Sequence, residues 1–345
     1  KFLSSKYTRS KVRKALPSEF SYIIDELLHA QQDEDNNQYV YHEKILDTII
    51  DIDSADAFIE ALSTLIKRLA VDHLHIVGDI YDRGPSADKI MDLLITHHSV
   101  DIEWGNHDIL WMGAACGNEA CIANVLRNNL KYDNIEILEN TYAISLRSLT
   151  LFAEQTYPDM RPMDAALKAI SVILFKLEGQ IIMRHPEYDM VDRLLLDKID
   201  KERGAVRIGS QEYELNDCYF PTIRTNDAYA LSAEEQHVID DLRAAFVNSH
   251  MLRKHVRFLY ENGSTYMCYN GNLLFHGCIP MTEDGEFASM RLDGRDYKGK
   301  EYMDYAAKVA RRAFFGNFNQ SDIDFMWYLW CGKKSPLAGR TMKTF

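Results

Sequence analysis

Two short loops hold the residues best suited to do chemistry: Gly78-Asp79-Ile80-Tyr81-Asp82-Arg83-Gly84 and Gly105-Asn106-His107-Asp108. Each ends an apolar run, Leu74-His75-Ile76-Val77 for the first and Val100-Asp101-Ile102-Glu103-Trp104 for the second. Carboxylate, amide and imidazole groups ligate hard or borderline divalent cations, and a guanidinium beside them can hold a phosphoryl oxygen. Two strand ends bearing an Asp, an Asp-Arg pair and an Asn-His pair therefore suit metal-assisted phosphoryl chemistry. Asp79 at a strand terminus can bridge two cations. A lone Asp there is more often a cap or turn residue, but Asn106 one crossover away favours the metal. Asn106 is a neutral oxygen ligand on that view and a turn former on the other. Asp82 is better placed to orient than to ligate: bonded to His107, it would raise the imidazole pKa and fix its tautomer. His107 could then protonate a leaving oxygen as general acid, while Arg83 clamps the phosphate. The competing structural roles are an ion pair between the loops and a salt bridge from Arg83 to Asp82 or Asp88.

The elements that must position these residues follow from periodicity. Apolar residues at helical spacing predict a helix over Ser18 to Ala30 and another from about Ala55 to Val71, where Phe58, Ile59, Leu62, Leu65, Ile66 and Leu69 recur. Gln31 to Gln38 is a polar, acidic connection. The strand Leu74–Val77, a helix opening at Ser86 and the strand before Gly105 form a crossover unit whose strand ends carry the two loops. Helices are predicted over Leu110 to Leu130 and Asp164 to Leu177. Ser232-Ala233-Glu234-Glu235 is a capping box opening a helix over Glu234 to Phe246. A hairpin at Val206–Leu215 turns at Gly209-Ser210, and strands return at Thr265–Cys268 and Asn272–Ile279, followed by a turn at Glu283-Asp284-Gly285. This predicts an α/β core (residues 55–130 and 255–345) with a helical segment (1–54) before it and a mostly helical insert (131–254) within it.

Composition narrows the function classes. With 345 residues, 46% hydrophobic content and a net charge of −13, the chain is globular and offers no basic surface for nucleic acid. Local positive charge from metals and a few Arg or Lys residues would have to offset an anionic substrate. The six cysteines form no C-x-x-C pair, as expected of reduced thiols in a cytoplasmic protein. No apolar run reaches the roughly 18 residues of a membrane helix, and the basic first 14 residues lack the apolar stretch of a signal peptide.

The pattern G-D-x-x-D-R-G followed by G-N-H-D resembles the calcineurin-like metallophosphatases. A later His-Gly, in Phe275-His276-Gly277-Cys278-Ile279-Pro280, matches that superfamily and implies His276 as a further metal ligand. The 170 residues between Asn106 and His276 are far more than protein phosphatases have. Ser5-Lys6-Tyr7-Thr8-Arg9-Ser10-Lys11, Val71-Asp72-His73-Leu74-His75-Ile76-Val77, Tyr269-Asn270-Gly271-Asn272-Leu273-Leu274 and Trp327-Tyr328-Leu329-Trp330 look like the class 3 fructose-1,6-bisphosphatases of Firmicutes. That resemblance runs through nearly the whole chain and is weakest near residues 155–205. It implies a cytosolic, manganese-dependent enzyme of gluconeogenesis that removes the 1-phosphate of fructose 1,6-bisphosphate. The implied partner is this small sugar bisphosphate, with no nucleic acid or membrane involved; homo-oligomer formation is left open.

Two departures temper what the resemblance implies. The family's Asp-x-His motif would precede Lys1 and its last Gly-His motif would follow Phe345, so the chain reads as the middle of a longer protein. Asp79, Asn106 and His276 then hold one metal well and a second poorly. Asp72, His73 and His75 read as packing residues. Lys333, Lys334, Arg340 and Arg257 are candidates for the sugar's second phosphate, each balanced by an ordinary surface role; Arg253 is similar. The aromatic run Phe325–Trp330 reads as core. The rival functions are a protein phosphatase or other metallophosphoesterase, and a truncated, inactive binding or regulatory module.

Overall fold

A computed structural model of the chain describes residues 3–30 and 36–338. The chain divides into two compact units, Lys1–Leu74 with His98–Val100, and His75–His97 with Asp101–Phe345.

The first unit is helical. Its helices Arg9–Ala15, Ser21–His29, Asn36–Asp51 and Ala55–Ala70 enclose a small core of Ile24, Ile49, Phe58, Leu65 and Leu69. The helix Ala55–Ala70, which the sequence places at the start of the α/β core, groups with these N-terminal helices. Its buried stripe is narrower than the apolar spacing suggests, because Ile59 and Ile66 face outward. His73 hydrogen-bonds Ser99 Oγ at 2.6 Å, and Asp72 pairs with Lys11, so both do more than pack.

The second unit carries the site. Its central sheet has the strand Val100–Glu103 between Leu74–Ile76 and Gly263–Ser264, and runs parallel to the latter. The α/β class is as expected, although the two strands that carry the site loops are each one residue shorter than predicted. The stretch Leu110 to Leu130 is two helices, Asn106–Ala115 and Glu119–Lys131. Gly117, at φ +83°, ends the first as only glycine does readily, and the side chain of Asn118 accepts from Cys121 N to cap the second. Later strands form two small hairpins, Met267–Tyr269 with Asn272–Leu274 and Met290–Leu292 with Arg295–Tyr297, and His276 lies in the loop that leaves the first.

The long helix Pro162–Arg184 begins on the proline and extends a full turn or more past the predicted end. It packs along Glu119–Lys131 and Arg147–Thr156. The capping box at Ser232 forms as expected: Glu235 N donates to Ser232 Oγ and Ser232 N donates to Glu235 Oε2. The helices of the expected insert thus pack directly on those that follow the site loops.

Beneath the site the packing is dense. Helix Asn106–Ala115 is buried on all faces from Asp108 onward, and Gln320–Cys331 is buried from Asp322 to Cys331, so the aromatic run is core as expected. Loops anchored to such close-packed elements hold their side chains in fixed geometry.

Candidate active site

The two loops meet because their backbones approach without intervening side chains. Gly78 has φ +77°, and a Cβ there would lie 2.6 Å from Gly105 N and 2.7 Å from His276 Nδ1. A Cβ on Gly105 would fall 2.2 Å from Asp79 Oδ1. Asp79 itself sits at φ +59°, a left-handed conformation that Asp tolerates better than most residues and that concentrates at functional positions.

Asp108, to which the sequence reading assigns no role, ties the loops together. Its fully buried carboxylate accepts three backbone N–H groups: Asp79 at 2.8 Å, Tyr81 at 3.1 Å and Gly105 at 2.9 Å. Burial pushes this carboxyl up, and the N–H donors of Gly105 and Tyr81 offset only part of that. The available signal was its place at the third position of a helix, where an acid can reach back to the cap backbone.

Asp79, Asp82 and His107 each bring a ligand atom within 4.8 Å of the others. Asp79 Oδ1 accepts from His107 N at 3.0 Å, and Asp79 Oδ2 lies 3.3 Å from His276 Nε2. His276 bonds through Nδ1 to the Val77 carbonyl at 2.8 Å, which requires that nitrogen to donate and aims Nε2 at Asp79. A histidine anchored to a backbone carbonyl through one nitrogen with the other facing a carboxylate is the usual posture of a metal ligand. The hydrogen bond to Asp79 pushes His276 up to about 9. Burial pushes the Asp79 carboxyl up, yet His276 and the His107 N–H hold it below its usual value.

His107 Nε2 stands 3.0 Å from Asp82 Oδ1, and Arg83 Nε is 3.2 Å from the same oxygen. That oxygen is buried between these two groups, and neither contact has hydrogen-bond geometry. The pairing of Asp82 with His107 matches the sequence expectation, but the direction of the pKa shift does not. Burial of the imidazole outweighs the pull of Asp82 and Asp79, and Arg83 and His276 add to the lowering, so His107 titrates below its usual value. Trp330, at the end of the aromatic run, presents its ring edge-on to His107 at 4.9 Å between centroids.

These residues line one end of a cleft of about 660 Å³, with Asn106 and His276 among its walls. The posture of His276 and the mixed oxygen and nitrogen donors fit a divalent cation held by Asp79, Asn106 and His276. Arg83 lies at this end, mostly exposed, with its guanidinium 5.2 Å from the centre of the Tyr132 ring.

The residues expected to meet a second phosphate are placed elsewhere. Lys333 pairs with Asp192 at 3.1 Å, Lys334 donates to the Ser289 carbonyl, and Arg257 pairs with Glu261 one helical turn away. Arg253 lies over the Phe314 ring. None of the four lines the cleft, and Arg340 lies outside the described residues. His75, expected to pack, instead hydrogen-bonds Asp101 at 2.7 Å with Tyr269 against its ring.

A family model described as Firmicute fructose-1,6-bisphosphatase matches residues 1–345. The class 3 fructose-1,6-bisphosphatase 1 of Clostridium beijerinckii is 50% identical, with 100% of this chain and 55% of that protein covered. The class 3 enzyme of Clostridium novyi is 50% identical over 99% of this chain and 55% of its own length, and that of Listeria innocua 47% identical over 100% and 56%. The chain thus spans about half the length of these curated relatives. No solved structure matches it at a significant level. No helix among the described residues is long and apolar enough to cross a membrane. With a match along its whole length and relatives about half identical to it, the chain belongs to the Firmicute fructose-1,6-bisphosphatase family.

Proposed function

We propose that the protein containing this chain hydrolyses fructose 1,6-bisphosphate to fructose 6-phosphate and phosphate, with Mn²⁺ as its cofactor. The observation that carries this is the convergence of Asp79, Asn106 and His276 with Arg83 and the Asp82–His107 pair at one end of a single cleft. A divalent cation bound there supplies Lewis acidity and an activated water.

The chain's own residues account for the remaining chemistry. Arg83 offers two N–H donors to the equatorial oxygens of the phosphoryl group, where charge is spread in the transition state. Those contacts replace its present pairing with Asp82. His107 delivers a proton to the departing sugar oxygen from Nδ1, while Asp82, facing Nε2, holds the ring in place and stabilises its charged form. Asp108 keeps the two loops in register, so the phosphate meets the donors already placed. Trp330 and the helix beneath restrict water on the buried side of His107.

The test is phosphate release from fructose 1,6-bisphosphate by the purified protein with Mn²⁺, beside a phosphoserine peptide. Turnover of the sugar that is lost in D79N, with little action on the peptide, supports the proposal. Preference for the peptide would favour a protein phosphatase. No turnover of either, with less than one metal bound per chain, would favour a binding module.

A further inference from the structure

The cleft extends well beyond the metal-type residues, and its remaining charged lining is three cations, Arg127, Lys131 and Arg193, with one acid, Glu178. Asn124, Arg127, Asn128 and Lys131 all face it from the helix Glu119–Lys131. Their spacing of i, i+3, i+4 and i+7 makes a single stripe, about 10 Å long at 1.5 Å per residue. Arg193 joins them from a separate short helical turn. In a chain of net charge −13, four cations, Arg83, Arg127, Lys131 and Arg193, line this one cleft.

The four fall into two groups. Arg83 and Lys131 share the Tyr132 ring, at 5.2 and 5.8 Å from its centre, and belong to the reacting end. Arg127 is one helical turn back from Lys131, and its Nε donates to Ser171 Oγ. Arg193 donates to the Cys331 carbonyl. Among the described residues, neither arginine forms an ion pair. Both act electrostatically on Glu178, whose carboxyl is pushed up by burial and whose Oε1 accepts from Trp327 Nε1. Glu178 is thus held by the core, and most of the guanidinium N–H groups stay available to a ligand.

We propose that Arg127 and Arg193 form a subsite for a second phosphate group, one that is not cleaved, and so select a phosphorylated sugar over a simple phosphomonoester. The subsite rests on the phosphatase reading above only for what happens at the other end. A guanidinium pair suits a tetrahedral dianion because each can donate two parallel hydrogen bonds. Asn128, between Arg127 and Lys131 on the stripe, faces the region where sugar hydroxyls would lie.

Calorimetric titration of metal-free protein with fructose 6-phosphate tests the subsite without requiring catalysis. R127Q and R193Q should each weaken binding at least fivefold, with R127K weakened less than R127Q, and with thermal unfolding midpoints checked for each. In the Mn²⁺-loaded protein, the ratio of kcat/KM for fructose 1,6-bisphosphate to that for p-nitrophenyl phosphate should fall at least tenfold. A parent that binds no fructose 6-phosphate, or folded variants whose affinity changes less than fivefold, would overturn the proposal. Weakened binding together with a parent inert toward the bisphosphate would support the subsite and sink the hydrolysis reading.

Discussion

His107 Nε2 lies 3.0 Å from Asp82 Oδ1, while the His107 backbone N–H donates to Asp79 Oδ1 at the same distance. One residue is therefore fixed at both ends by the two carboxylates of the other loop. If His107 is the general acid, H107Q lowers kcat on fructose 1,6-bisphosphate by about 10²–10⁴-fold. The loss on p-nitrophenyl phosphate is smaller, because a phenolate departs without a proton. Steady-state kinetics on both substrates check this, and equal losses would remove the proton-donor role.

The His276–Asp79 pair predicts a pH signature in metal-free protein. His276 titrates near 9 instead of 6.5, and D79N returns it toward the lower value, as histidine NMR would show. The folded pKa is raised, so its contribution to stability is complete below 6.5 and is lost as pH rises through about 9. A cation taken up near neutral pH must displace this proton, and calorimetry in buffers of different ionisation enthalpy will show its release.

Asp108 sets the register of both loops through three backbone N–H groups. D108N keeps one acceptor and the helix but frees part of the clamp. It should weaken metal affinity by roughly 10–100-fold, as outer-shell changes do, with a modest fall in thermal stability. G105A acts more severely, since its Cβ would lie 2.2 Å from Asp79 Oδ1. Metal titration of both variants provides the comparison.

Away from the site, Lys176 and Glu235 form a fully buried ion pair at 2.7 Å, and Lys176 also donates to the Thr222 carbonyl. K176A strands the Glu235 carboxylate and should cost about 3–5 kcal/mol of stability. K176M/E235Q recovers part of this, because a glutamine can still reach Ser232 N in the capping box. Urea unfolding of the three proteins measures the difference.

The reacting end was legible in the sequence because its chemistry is local: Asp79, Asp82 and Arg83 share one loop, Asn106 and His107 another, and each motif sits at a strand end. The capping box at Ser232 was legible for the same reason. Asp108 was in plain view, but its role depends on two loops meeting, and no spacing rule reports that. The helix break at Gly117 was hidden within a long apolar stretch whose periodicity continues on both sides. Lys333 and Lys334 stand out in the sequence as cations after an aromatic run and Arg257 as one near the second half of the core, whereas Arg127, Lys131 and Arg193 depend on which helix face the cleft exposes. The lowered pKa of His107 was missed because burial is a property of the packed site, while its carboxylate neighbour can be read from the motif.

The most direct test follows the products of fructose 1,6-bisphosphate by phosphorus NMR, with the Mn²⁺-loaded protein and its D79N variant. The proposed chemistry predicts equal amounts of orthophosphate and fructose 6-phosphate from the parent and neither from D79N. Fructose 1-phosphate as the product, or an undiminished rate in D79N, would contradict it.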